Sequence, residues 1–131
     1  MRESNPTPTI VLADDVEDLL EVLREMIEDD GYQVVGAAAD GQDAIFLIER
    51  LKPDLALLDY RLPGADGLEI LRAIRDASPE TRAVMLTAYD EASLRKNAER
   101  LGAYAFLVKG CPASQILQAL RETHERGRTS S

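Results

Sequence analysis

Hydrophobic positions along this chain alternate between two rhythms. Short apolar runs occur at "TIVLA" (9–13), "YQVVGAA" (32–38), "DLALL" (within 54–58), "RAVMLTA" (82–88) and "YAFLV" (104–108). Runs of this length and composition predict strands, and an unbroken one such as "LALL" predicts burial on both faces. Between and after them, apolar residues recur three and four positions apart. The first set is Val16, Leu19, Leu20, Leu23 and Ile27, and the second is Ala44, Ile45, Ile48 and Leu51. Leu68, Leu71 and Ile74 follow, then Leu94, Ala98 and Leu101, and finally Ile116, Leu117 and Leu120. Each set forms one apolar stripe on a helix, the fourth stripe being the thinnest. Gly31 ends the first helix and Asp40 is placed to cap the second. Asp66, with Glu69 three residues later, forms a capping-box pattern for the third.

Five strand–helix units in alternation predict an α/β fold with a parallel sheet. Parallel neighbours need long crossovers, the helices supply them, and the crossovers should be right-handed. Ligands of such sheets bind beyond the carboxyl ends of the strands, so the residues that follow each strand matter most. Strand one runs into Asp14-Asp15, strand three into Asp59, strand four into Thr87 and strand five into Lys109. Strand two runs into Ala38-Ala39 and offers no reactive group. Asp54 begins strand three, roughly 16 Å from Asp59 at about 3.3 Å per residue, and is read as solvated.

Three carboxylates at one sheet edge repel one another, by roughly 4 kcal/mol per pair at about 4 Å and a near-surface dielectric. Lys109 can offset part of that, and a bound cation more. All-oxygen ligation selects a hard ion, with Mg²⁺ preferred over a calcium cage. No CxxC, HExxH or His-rich constellation competes.

Composition narrows the partners. The 131 residues suit one domain, 45% of them apolar and 30% charged. The net charge of −9, from 15 basic and 24 acidic side chains, repels nucleic acid and acidic membranes. No apolar stretch approaches the length of a membrane span, and "MRESNPTPT" lacks the apolar body of a secretion signal. The single cysteine, Cys111, cannot form an internal disulfide, so the expected location is the cytoplasm.

Taken singly, most of these residues have plainer readings. Asp14 or Asp15 could cap the first helix, Thr87 could be an ordinary β-branched strand residue, and Lys109 a solvated charge. Phe106 could simply pack, Cys111 before Pro112 could be incidental, and His124 solvated. Asp59 has no such duty, because Pro63, Gly64 and Asp66 already supply the turn and the cap that follow it.

The acidic pair Asp14-Asp15, the "LLD" ending at Asp59, "LPGADG" (62–67), "LTA" (86–88) and "GAYAFLVK" (102–109) together resemble the receiver domain of two-component response regulators, over about residues 8 to 125. "LVKGCPASQILQAL" looks like the receivers that precede LuxR-type DNA-binding domains. The resemblance implies a flavodoxin-like, doubly wound five-stranded sheet in order 2-1-3-4-5, with helices on both faces. The polar stretches at 1–8 and 126–131 are expected to be flexible tails around a receiver domain at 9–125. Asp59 would accept a phosphoryl group from a histidine kinase. Asp14, Asp15, Asp59 and the backbone carbonyl of Arg61 would hold Mg²⁺. Lys109 and Thr87 would contact the phosphoryl group, and Thr87 with Phe106 would form the switch. Arg61 and Tyr89 would set phosphate lifetime by flanking the path of the attacking water.

Two positions depart from the family pattern. Phe106 stands where tyrosine is frequent, so it can signal by packing and not through a hydroxyl. Gly110 stands where proline commonly follows the lysine in a cis bond. A cis bond before a non-proline residue costs about 2.5–4 kcal/mol, so a trans, more mobile loop is expected. The partners implied are a histidine kinase, a downstream protein or output domain outside this chain, and a phosphorylation-dependent homodimer. Two rival readings are a receiver-fold interaction module working without phosphate and a haloacid-dehalogenase-like phosphohydrolase. The latter wants Asp-x-Asp after the first strand, and this chain has adjacent aspartates.

Overall fold

The computed structural model describes residues 7–129. Most of the tail expected at 1–8, and the end of the one expected at 126–131, lie outside the described residues. Five parallel strands, β1 (Thr9–Ala13), β2 (Gln33–Ala38), β3 (Leu55–Leu58), β4 (Arg82–Thr87) and β5 (Ala105–Val108), form one sheet in the order β2-β1-β3-β4-β5. The helices between and after them are α1 (Glu17–Asp29), α2 (Gly41–Leu51), α3 (Gly67–Ala77), α4 (Ala92–Arg100) and α5 (Ala113–Thr129). The parallel α/β sheet is the one the alternating rhythms predicted, and its flavodoxin-like strand order is the one the receiver resemblance implied.

Alternate strand residues feed two cores, as period-two geometry requires. Ile10, Leu12, Leu55, Leu57, Val84 and Leu86 face α1 and α5, meeting Leu23, Ile27, Ile116 and Leu120. Val11, Ala13, Ala56, Leu58, Ala83 and Met85 face α2, α3 and α4, meeting Ala44, Ile48, Ile70, Ile74 and Ala98. Burial of each large aliphatic side chain contributes roughly 1.5–3 kcal/mol, which holds both helical layers on the sheet. Among the described residues no helix is long and apolar enough to cross a membrane.

Caps follow the sequence at α2 and α3 and depart from it at α1. Asp40 accepts a hydrogen bond from the Asp43 amide, and Asp66 and Glu69 complete a reciprocal capping box. The N-cap of α1 is Val16, with no side-chain cap bond. Neither Asp14 nor Asp15 is therefore spent on capping the helix. Asp54 is exposed, yet its carboxylate accepts from the Thr9 amide at 2.8 Å and its amide donates to the Thr9 hydroxyl at 3.0 Å. It clasps β1 to the start of β3, a pairing that its reading as solvated lacked. The helical end of the chain runs further than expected. α5 continues to Thr129, so residues 126–129 belong to a helix and the boundary at 125 falls inside it. Beyond Leu120 the sequence carries no apolar stripe that would mark where the helix stops.

The loop after β3 is wedged between α2 and α3 by close backbone approaches. A Cβ on Gly41 would lie 1.9 Å from the Ala65 carbonyl oxygen, and one on Gly67 would lie 2.7 Å from the Asp59 carbonyl oxygen. The Gly41 amide donates to the Pro63 carbonyl and the Gly67 amide to the Tyr60 carbonyl, each at 2.8 Å. These contacts fix where the chain leaves β3. Gly41→Ala forces backbone apart and should lower the free energy of unfolding by about 1–3 kcal/mol in urea denaturation. An unchanged midpoint would show that this loop yields freely.

Candidate functional site

Main-chain ladders carry three polar residues one step past the sheet. Asp14 donates its amide to the Ala38 carbonyl at 3.0 Å, Asp59 to the Ala13 carbonyl at 2.9 Å, and Lys109 to the Thr87 carbonyl at 2.8 Å. Register does the rest: Ala13 pairs with Leu58, Leu58 with Met85, and Thr87 with Val108. The side chains after β1, β3 and β5 therefore meet at one rim.

They meet closely. The Lys109 ammonium donates to Asp14 Oδ2 at 2.7 Å and to Asp59 Oδ2 at 2.9 Å. Asp59 Oδ1 accepts from the Tyr60 amide at 2.6 Å, and Asp14 Oδ1 from the Val16 amide at 2.9 Å. Asp14 and Asp59 are buried while Asp15 is exposed. One carboxylate oxygen from each of the three lies within 4.8 Å of the others. Burial pushes the Asp14 carboxyl above its ordinary value, and the hydrogen bonds from Lys109 and the Val16 amide only partly offset that. Burial works against the Lys109 ammonium too, but the hydrogen bonds to Asp14 and Asp59 outweigh it and raise its pKa. Both shifts favour the protonated form, as expected where one ammonium is shared between two buried carboxylates.

The acidic triad can bind a metal. Its donors are all oxygen, two rigidly based and one open to water, which fits a hard divalent ion that keeps part of its hydration shell. Thr87 is fully buried, and its Oγ accepts weakly from the Tyr89 amide at 3.5 Å, which leaves the hydroxyl proton free to be donated. Lys109–Gly110 is trans, as every described peptide bond is. Gly110 has φ +100°, a conformation open to glycine and closed to proline. The loop is thus built differently from a Lys-Pro turn and still delivers Lys109 to the rim.

Around the triad lie contacts that the sequence did not announce. The Arg61 guanidinium stacks 4.9 Å from the centre of the Tyr89 ring, and Tyr60 meets Tyr89 edge-on at 6.2 Å. Phe106 is half-buried under the Arg95 guanidinium, 4.5 Å from its ring centre. Arg95 also donates to Asp90 at 3.1 Å and to the Phe106 carbonyl at 3.4 Å. Arg95 sits on α4 at an unremarkable i+1 position after Leu94, so nothing in the apolar pattern singled it out.

A five-stranded parallel sheet in this order, with an acidic cluster and a lysine at its carboxyl edge, defines a receiver-type signalling domain. The chain belongs to the response regulator receiver domain family, whose model matches residues 10–121. Members of this family are phosphorylation-operated switches, phosphoacceptors and not turnover enzymes. The chain is 38% identical over 121 residues to the transcriptional regulatory protein NarL of Mycobacterium tuberculosis, covering 89% of this chain and 56% of that protein. It therefore spans a little over half of that relative. It is 32% identical over 113 residues to sporulation initiation phosphotransferase F of Bacillus subtilis, covering 86% of this chain and 90% of that protein. Among solved structures, the NarL signal receiver domain of M. tuberculosis superposes with a TM-score of 0.87 at 33% identity, over 92% of this chain and 98% of that one. CheY of Borrelia burgdorferi, solved in complex with CheX, BeF₃ and Mg²⁺, superposes with a TM-score of 0.83 at 25% identity, over 87% of each chain.

The Lys109 bridge has a measurable stability. In Mg²⁺-free buffer at neutral pH, Lys109→Met should lose about 1.5–3 kcal/mol, the range for hydrogen bonds to charged groups. Because the folded pKa is raised above the ordinary 10.5, the contribution is complete below that value and fades only as pH climbs through the raised one. Urea titrations across pH test both points. A variant as stable as the wild type at pH 7 would contradict them.

Proposed function

We propose that Asp59 is the phosphoacceptor of this receiver and that a histidine kinase is the donor. The observation that carries this is the convergence of Asp14, Asp59 and Lys109, held within 2.7 and 2.9 Å contacts by three different strand ends. A carboxylate oxygen of Asp59 attacks the phosphorus of phosphohistidine. A P–O bond forms as the P–N bond breaks, and the imidazole departs with the P–N electron pair. Asp14, Asp15 and Asp59, with the Arg61 backbone carbonyl, are the proposed Mg²⁺ ligands. Bound there, the ion supplies neutralising charge for the transferring phosphoryl oxygens. Lys109, already on Asp59, stays with the new phosphoryl group, and Thr87 donates its free hydroxyl proton to a phosphoryl oxygen.

That last contact is the proposed switch. Drawing Thr87 inward moves the loop that carries Asp90, and Asp90 is tied through Arg95 to Phe106. Phe106 follows by packing alone. Inverting a 1:99 equilibrium needs about 5.5 kcal/mol of differential stabilisation, a scale that several charge-assisted hydrogen bonds can approach. The face of α4, β5 and α5 is the proposed output surface, for a downstream protein, an output domain or a second phosphorylated copy. The proposed setting is the cytoplasm, and the folded receiver unit is taken to run from residue 9 through α5. Phosphorylation and dephosphorylation are proposed to be catalysed by the receiver itself, so acetyl phosphate can replace the kinase in a test.

Intact-mass measurement after incubation with acetyl phosphate and Mg²⁺ should show one added phosphoryl group in the wild type. Asp59→Asn, or chelation of the metal, should abolish it. An equal gain in Asp59→Asn would place the acceptor elsewhere, and steady turnover of small phosphate esters would favour a hydrolase.

Arg61 and Tyr89, stacked on each other beside the acceptor, are proposed to shield the phosphoryl group from water. Arg61→Ala and Tyr89→Ala should speed spontaneous dephosphorylation by up to about tenfold, or roughly 1.4 kcal/mol of barrier. Rates equal to wild type in both variants would remove that role.

A further inference from the structure

A cavity of about 220 Å³ opens between α3, α4 and the first residues of β4 and β5. It lies at the amino edge of the sheet, about 16 Å along β4 from Thr87, so it is separate from the acidic rim. Three arginines from three elements line it: Arg75 of α3, Arg82 of β4 and Arg100 of α4. No acidic residue lines it. Among the described residues, Arg24, Arg95 and Arg121 pair with carboxylates, while Arg75, Arg82 and Arg100 do not. Three guanidiniums without a carboxylate partner thus surround one small cavity in a chain of net charge −9, Arg100 being bonded only to the neutral Asn97 side-chain oxygen at 3.3 Å.

Helix ends account for part of this. Arg75 and Arg100 stand in the last turns of α3 and α4, where each meets roughly half a negative charge from the helix dipole. That leaves a clear positive excess, and it gives no role to Arg82, which is on a strand. Arg82 stacks on the Tyr104 ring at 4.9 Å and donates to the Tyr104 hydroxyl, so its guanidinium is held in place at the cavity wall. The floor is mainly apolar, from Leu71, Ile74, Pro79, Ala83 and Leu101, with Thr81 beside them, whose hydroxyl is already donated to the Pro53 carbonyl at 2.6 Å. Water satisfies guanidiniums but gains nothing against such a floor. An inorganic anion would likewise leave the floor unmatched.

We infer that this cavity binds a small organic anion, a carboxylate or phosphate carried on a compact apolar body. Guanidinium forks match both anionic groups. The volume falls below the range of about 300–1,000 Å³ typical of drug-sized ligands, so the body is a single ring or a short branched chain. The inference does not depend on phosphoryl chemistry at Asp59, and Asp59→Asn should bind equally well.

Two-dimensional amide NMR of the whole chain tests it, with benzoate and phenyl phosphate as probes. Benzyl alcohol serves as the neutral control and inorganic phosphate as the bare anion. At least one organic anion should give saturable shifts centred on residues 74–83 and 100–104. Benzyl alcohol and inorganic phosphate should each bind about tenfold more weakly or worse, the loss expected when charge-assisted or apolar contacts are removed. Arg75→Gln combined with Arg100→Gln, both exposed positions, should weaken the organic anion by about tenfold or more while distant amides stay unmoved. Shifts centred elsewhere, no saturation in the millimolar range, equal binding of either control, or undiminished binding by the double variant would each overturn the inference.

Discussion

One ammonium shared between two buried carboxylates organises the working edge of this protein. Lys109 holds Asp14 at 2.7 Å and Asp59 at 2.9 Å, and without it the repulsion between the carboxylates of the rim would go unrelieved. At an effective dielectric of about 20, each close carboxylate pair costs roughly 4 kcal/mol. The site is therefore poised: it contains more negative charge than its own lysine balances. A divalent ion and an electrophilic phosphorus are the partners that such an imbalance favours.

The sheet makes this arrangement rigid. Asp14, Asp59 and Lys109 each extend a parallel ladder by one main-chain hydrogen bond, so none depends on a long loop for its position. The exit from β3 is clamped further, because Gly41 and Gly67 let α2 and α3 press directly on the backbone beside Asp59. Stability and chemistry are thus linked through packing: a change at Gly67 presses on the Asp59 backbone itself, and one at Gly41 reaches it through the loop at Ala65. The opposite edge has the inverse character. There the arginines of α3, β4 and α4 surround a small apolar floor, so one sheet carries an acidic rim at one end and a basic cavity at the other.

Much of this was legible in the chain. Unbroken apolar runs gave the strands, three- and four-residue spacings gave the helices, and the residues after β1, β3 and β5 are those whose side chains meet at the rim. What stayed hidden depends on tertiary approach. Asp54 clasps Thr9 across 45 residues of chain, and Arg95 covers Phe106 from a different element. Neither contact leaves a periodic trace. The cavity arginines were invisible for the same reason, since 75, 82 and 100 share no motif. The end of α5 left no mark, because no apolar stripe continues past Leu120.

The most direct test of the central claim is a crystal structure of the protein with beryllofluoride and Mg²⁺. The account predicts beryllium bonded to a carboxylate oxygen of Asp59, the metal on Asp14 and Asp15, and Lys109 Nζ in contact with a fluoride. Beryllofluoride bound elsewhere, or Lys109 turned away from an occupied Asp59, would contradict it.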